Sequence, residues 1–295
     1  MRYQFALVAL LITTSLATAQ PLVTSMQPGK DKMSAPQLED RGAKANPGAF
    51  PLLECLHSLV RGDTDKAEKS CSAALVLNAR EHDAYKLRGY AFLIDHRFER
   101  ATADFRAALT LRPKDHEDRA GYAQSLSGQG QFQEAVVQYR KAVDLAPTKA
   151  PYWNGLCWAR AGTGQRLNQA LRECNQALSL QPGAAGALNS RGLVHLRLRQ
   201  FGRAIVDYTA SLQAGPLQAS ARFGRGMARL YAGETAKGSV DIAEARRLDA
   251  DIDNMFELLG VLPAQCSKNQ ISCPPGFPNK PAARGSAYLV AKSSQ

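Results

Sequence analysis

The 295-residue sequence predicts an all-α protein built from about six repeats, set between a disordered leader and a disordered tail. Three observations predict this class. A 34-residue period runs through the middle of the chain, and at that period small residues, an aromatic and a proline return to the same places. With 45% hydrophobic and 21% charged residues, the composition is that of a chain able to bury a core.

The first element is "MRYQFALVALLITTSLATAQ", with a basic start at Arg2, an apolar run from Phe5 to Leu16 and "ATA" before Gln20. This is the pattern of a secretory signal over residues 1–19, cleaved after Ala19. The apolar run falls short of the ~18 residues a membrane span needs. No cysteine follows the cleavage site, so a lipoprotein route lacks its attachment point. The expected protein is therefore exported, periplasmic or secreted, with no transmembrane segment in the mature chain. Export sets nucleic acid aside as a partner despite the net charge of +11. Residues 20–47 are polar and proline-bearing, with no sustained apolar period, and read as a disordered leader.

The repeating body follows at 48–262. "AYKLRGYAFLIDHRFERATADFRAALTLRP" (84–113) overlays "ALNSRGLVHLRLRQFGRAIVDYTASLQAGP" (187–216) without a gap. Gly89, Ala101, Phe105, Ala108 and Pro113 in the one match Gly192, Ala204, Tyr208, Ser211 and Pro216 in the other. Between them, residues 121–147 keep the frame with Ala123, Ala135, Tyr139, Ala142 and Pro147. Small residues let two helix backbones approach, the aromatic fills the space between hairpins, and the proline ends the second helix.

At these residues the chain resembles the tetratricopeptide repeat family, which places two antiparallel helices in each repeat, and the resemblance implies a right-handed α-solenoid of about six helical hairpins. The resemblance implies repeats near 48–81, 82–115, 116–149, 150–184, 185–218 and 219–252, with a capping helix over 251–261. The first, fourth and sixth copies depart from the pattern: the first lacks the terminal proline, the fourth has a one-residue insertion, and the sixth carries Gly238 and Ala250 in place of alanine and proline. Terminal repeats depart because one face meets water rather than a neighbour.

Within that frame the cysteines acquire partners. Cys55 and Cys71, and likewise Cys157 and Cys174, fall at positions 8 and 24 of their repeats, which face each other across an antiparallel hairpin. Two disulfides are expected there, in keeping with an oxidising compartment. Unpaired thiols packed as small hydrophobes remain the alternative. Cys266 and Cys273 would close a third, short loop in the tail, 263–295, which is otherwise rich in Pro, Gly and Ser.

No catalytic pattern stands out. His57, His82, His96, His116 and His195 are scattered, and His82, His96 and His116 lie beside acids at loop or helix-start positions, where acids usually cap. HExxH, GxSxG and phosphate-binding glycine loops are missing from the sequence. The reading is a non-enzyme with no catalytic residues, no cofactor and no metal.

The family resemblance implies instead a peptide-binding groove lined by the first helix of each repeat. Transferred to this sequence, the lining comprises Lys86, Tyr90, Gln124, Asn154, Trp158, Asn189, Leu193, Arg197, Phe223, Met227 and Tyr231. Leu93 also maps there, as do Leu52, Leu56 and Leu59, for which core or self-association is an equal alternative. An apolar and aromatic lining with central asparagines suits an extended protein segment, whose backbone Asn154 and Asn189 would bind. The expected role is a scaffold or adaptor of the cell envelope. A second reading takes Arg88, Arg191 and Arg225, all at position 7, as a ladder for an anionic envelope glycan or lipid headgroup; pairing with acids on neighbouring turns such as Glu81 or Asp83 competes with it.

Overall fold

The structure is a computed structural model that describes residues 49–262; the expected signal, leader and tail, with Cys266 and Cys273, lie outside the described residues. Every regular element among the described residues is an α-helix, and none of these helices is long and apolar enough to cross a membrane. Two compact units divide at Thr148 and Lys149.

The first unit holds three hairpins: α1 (Ala49–Arg61) with α2 (Thr64–Leu77), α3 (His82–Ile94) with α4 (Phe98–Leu111), and α5 (His116–Gly128) with α6 (Phe132–Leu145). The second holds α7 (Ala150–Thr163) with α8 (Leu167–Leu180), α9 (Ala185–Arg197) with α10 (Phe201–Ala214), and α11 (Ala219–Tyr231) with α12 (Thr235–Leu248). A short helix, α13 (Ile252–Leu258), comes last. It is shorter than the expected 251–261, because the chain turns at Leu259 and Gly260, the latter at φ 64°. Within each unit successive hairpins pack side by side.

Each hairpin turn contains a residue in the left-handed region at the same place in the repeat: Gly62, His96, Gly130, Gly164, Arg199 and Gly233. Four are glycine, which adopts that backbone without a steric penalty. His96 and Arg199 carry a Cβ there, at a cost of about 1–2 kcal/mol each. In the fourth hairpin the inserted residue extends the turn, and Arg166 is a second left-handed residue.

Two-glycine sandwiches stack the regular hairpins. In the first unit Phe105 is fully buried, with its ring between Gly89 and Gly121. A Cβ on Gly89 would come within 3.1 Å of the ring, and one on Gly121 would overlap it. In the second unit Tyr208 lies in the same way between Gly192 and Gly224. The sequence encodes this as glycine, aromatic and glycine at steps of 16 residues, the first glycine from the same repeat and the second from the next.

The disulfides occupy the equivalent place. The sulfurs of Cys55 and Cys71 are within bonding distance, with Cα atoms 5.2 Å apart, and Cys157 and Cys174 are bonded likewise, with Cα atoms 5.3 Å apart. All four are fully buried. A covalent link across the hairpin thus replaces the contact between a small residue and an aromatic ring.

At the end of the second unit, α13 covers what would otherwise be an open apolar edge. Ile252 and Phe256 are buried, and the Phe256 ring packs on Phe223 with centroids 4.5 Å apart. The buried Arg246 guanidinium donates to both carboxylate oxygens of Asp253, at 2.7 and 2.9 Å, tying α12 to α13.

Candidate functional site

The arginines expected to form a ladder are engaged elsewhere. Arg88 donates to both carboxylate oxygens of Asp104 at 2.8 Å. Arg191 binds Asp207 and Arg225 binds Asp241 in the same two-point fashion, at 2.7 and 2.8 Å. Each acid lies 16 residues after its arginine, on the second helix of the same hairpin. A third contact reaches 16 residues back, to Ser72, Asn175 and Thr209 on the preceding second helix. The three arginines are therefore clips between hairpins, not a free basic ladder. Pairing with acids was expected at Glu81 or Asp83; the partners are instead across the hairpin, because position 7 faces the second helix rather than its own next turn. Three Arg-to-Asp separations of 16 residues were the available signal in the sequence.

In the first unit the expected groove residues are largely internal. Tyr90 is buried, its ring edge-on to Phe105 at 5.1 Å between centroids. Leu59 and Leu93 are buried with it, and Leu52 and Leu56 pack against the same cluster at its margin. Lys86 is buried beside Glu117 at 3.4 Å and Asp83 at 3.5 Å. Tyr90 and Lys86 are therefore removed from the groove lining: the neighbouring first helix, α5, and the acids at its start cover them. Gln124 is half-buried.

Around Lys86 lies a dense charge cluster. His82 is buried, with Nε2 2.6 Å from Asp118 and Nδ1 2.9 Å from Asp83. Burial pushes the imidazole down, but the bonds to Asp118 and Asp83 outweigh it and lift the group to about 9. The hydrogen bond from His82 in turn takes the Asp83 carboxyl down to about 2. Burial also works against the Lys86 charge, and Asp83 and Glu117 more than restore it. Asp115 and Asp118 bring three cation ligands together with His82. The imidazolium and the Lys86 ammonium already supply positive charge at that place, and Asp115 caps α5 by accepting from the N–H groups of Glu117 and Asp118. The cluster joins the second hairpin to the third.

Its consequence is a pH dependence. A group whose pKa is raised on folding stabilises fully below its unfolded value of 6.5 and loses that contribution as pH rises through about 9. Between pH 6.5 and 9 the protein should lose on the order of 2 kcal/mol. Urea midpoints measured across that range should fall for the wild type and stay flatter for His82→Gln.

The second unit presents a different face. Leu193, Phe223 and Met227 are fully buried, since α9 lies between α7 and α11, and α13 covers α11. These three are corrected from groove lining to core. Asn189 is mostly buried, and its Nδ2 donates to Ser220 Oγ at 3.2 Å. Asn154 is half-buried, and its Oδ1 accepts from Ser190 Oγ at 2.7 Å. These bonds use the oxygen of one amide and the nitrogen of the other. Among the described residues, Nδ2 of Asn154 and Oδ1 of Asn189 are left as a donor and an acceptor on consecutive first helices.

Trp158 stands one turn beyond Asn154 on α7 and is half-buried. Tyr231 is exposed, with its ring stacked on Phe201 at 5.2 Å. Arg197 is half-buried against Gly164, at the end of α7, and donates from Nη1 to the Leu259 carbonyl. Burial lowers its pKa, and no carboxylate pairs with it among the described residues. Asn154, Trp158, Asn189, Arg197 and Tyr231 thus remain along the row of first helices of this unit.

Sequence and fold comparisons agree on the architecture. A family model described as tetratricopeptide repeat matches residues 57–116, 161–216 and 189–250, and a second of the same description matches 120–149. No curated protein matches the chain in sequence. In fold it is similar to a chain of the APC/C hetero-tetramer Cut9–Hcn1, at TM-score 0.62 and 14% identity over 75% of this chain and 44% of that one. It thus spans less than half the length of that protein. PilW, a widely conserved type IV pilus biogenesis factor, is similar at TM-score 0.58 and 18% identity over 71% of this chain and 96% of its own. Pseudomonas aeruginosa pilF is similar at 0.54 and 17%, over 72% and 96%.

Proposed function

The chain belongs to the tetratricopeptide repeat family, and on that premise we propose that it is a non-enzymatic scaffold, exported to the cell envelope, that holds extended protein segments on the first-helix row of its second unit. The observation that carries this reading is the arrangement of Trp158 with Asn154 and Asn189. The half-buried indole keeps a rigid face at the surface, and the amides of half-buried Asn154 and mostly buried Asn189 offer one donor and one acceptor, the complement of a peptide backbone's C=O and N–H. Tryptophan is among the residues that most often dominate such interfaces.

Binding through a basic face is not favoured, because Arg88, Arg191 and Arg225 are each neutralised by a two-point bond to aspartate. Export is supported by the two buried disulfides, which persist in oxidising compartments. Intact mass of the protein recovered from its native cell should correspond to residues 20–295; a chain retaining residues 1–19 contradicts export by cleavage.

The groove reading is tested by substitution of side chains that do not belong to the core. Crosslinked pull-down from the envelope fraction with wild type and with Asn154→Ala plus Trp158→Ala should lose a specific protein partner with the double variant. Affinity for that partner should fall by more than about tenfold, the equivalent of a hot-spot loss above ~1.4 kcal/mol. Unchanged partners and affinity, with circular dichroism showing an intact fold, would contradict it.

A further inference from the structure

We propose that the chain's own C-terminal segment, around Ala287–Val290, occupies the face at Trp158 and acts as a tethered competitor for the protein segments bound there; this rests on the reading of that face as a peptide site. The argument starts where the described chain ends. After α13 the backbone turns at Gly260, and Leu259 and Leu262 are buried. The Leu259 carbonyl accepts from Arg197 of α9, and the same guanidinium rests against Gly164 at the end of α7. Arg197 therefore fastens the exit of the chain to the end of the helix that carries Trp158.

The tail is long enough to reach the indole. Trp158 lies six residues before Gly164, or roughly 9 Å at 1.5 Å per helical residue. Residues 263–295 lie beyond the fastened turn, and at about 3.3 Å per extended residue a third of them would span the row. Tethering raises the local concentration of the tail to the order of millimolar, so that weak contacts suffice for occupancy.

Composition singles out the occupant within the tail. "AYLV" at 287–290 is its one sustained apolar run, with Lys292 two residues beyond. The tail has four basic residues and no acidic one. An apolar run and a nearby ammonium are both partners for an indole face, the first by packing and the second through the ring quadrupole. Arg197 fastens the turn at Leu259, and a segment docked further along by weak contacts would exchange with an external peptide.

Trp158 itself reports the outcome. The chain has two tryptophans, so Trp153→Phe leaves Trp158 as the single emitter in the full-length protein. Replacing Tyr288, Leu289 and Val290 together by serine should then move its emission to longer wavelength and raise its quenching by acrylamide. Adding the peptide GSAYLVAKSSQ at millimolar concentration should reverse both changes. Identical emission and quenching in the two proteins, or a change that the peptide does not reverse, overturns the proposal. Titrating the serine variant with a pool of unrelated apolar peptides separates the two readings. A Trp158 response to the pool but not to the tail peptide leaves the peptide site standing without its internal competitor; silence towards both removes the site as well.

Discussion

Phe105→Ala is expected to destabilise the first unit by about 3–5 kcal/mol, the cost of deleting a fully buried aromatic ring whose cavity cannot collapse. Collapse is prevented by the two residues that embrace the ring. Gly89 and Gly121 are drawn in to the distance that the ring itself sets, and neither has a side chain to fill the vacated space. The loss should be visible in urea unfolding as a large fall in midpoint. A loss below about 1 kcal/mol would mean that the stack does not depend on its glycine sandwich.

Removing the Cys157–Cys174 bond is the second large effect. The bridge spans 17 residues and closes the hairpin that carries Asn154 and Trp158. On the loop-closure account such a bridge contributes about 3 kcal/mol, chiefly by restricting the unfolded chain. The double variant Cys157→Ala, Cys174→Ala should therefore unfold at distinctly lower denaturant than the wild type. Adding a thiol reductant under the same conditions should lower the wild-type midpoint more than that of the variant, in which the Cys55–Cys71 bond is the remaining target among the described residues. Equal midpoints for wild type and variant would show that the bridge adds no stability to the hairpin.

Much of the fold was legible because it is periodic. Glycine at 89 and 192, aromatics at 105 and 208 and prolines at 113 and 216 mark out the helices, and the same frame brings Cys55 to Cys71 and Cys157 to Cys174. The candidate site was only partly legible, for a physical reason. Repeat position fixes the direction in which a side chain leaves its helix but not what covers it. Tyr90 packs edge-on to Phe105 of the second helix, Leu193 is buried on a first helix that lies between two others, and Phe223 meets Phe256 of α13, whose capping contact has no repeat signature of its own. The arginine clips were missed for the opposite reason. Glu81 and Asp83 lie within two turns of Arg88 in sequence, whereas the hairpin places residues 16 apart in contact and brings Asp104 to it.

The hydrogen-bonding of the two asparagines was also beyond the sequence. Their presence on adjacent first helices could be read, but not that Ser190 and Ser220 take one end of each amide and leave opposite polarities available. That polarity separates a surface able to hold a peptide backbone from a merely polar one.

The most direct test of a peptide face on the second unit is photo-crosslinking from single positions in the native envelope. A photoreactive residue at Asn154 should crosslink to an extended protein segment, identified by mass spectrometry. The same residue at Val206, which is 67% exposed on the second-helix side, should capture no specific segment. Specific capture from Val206 with none from Asn154 would contradict the account, and would move the working surface from the first helices to the second.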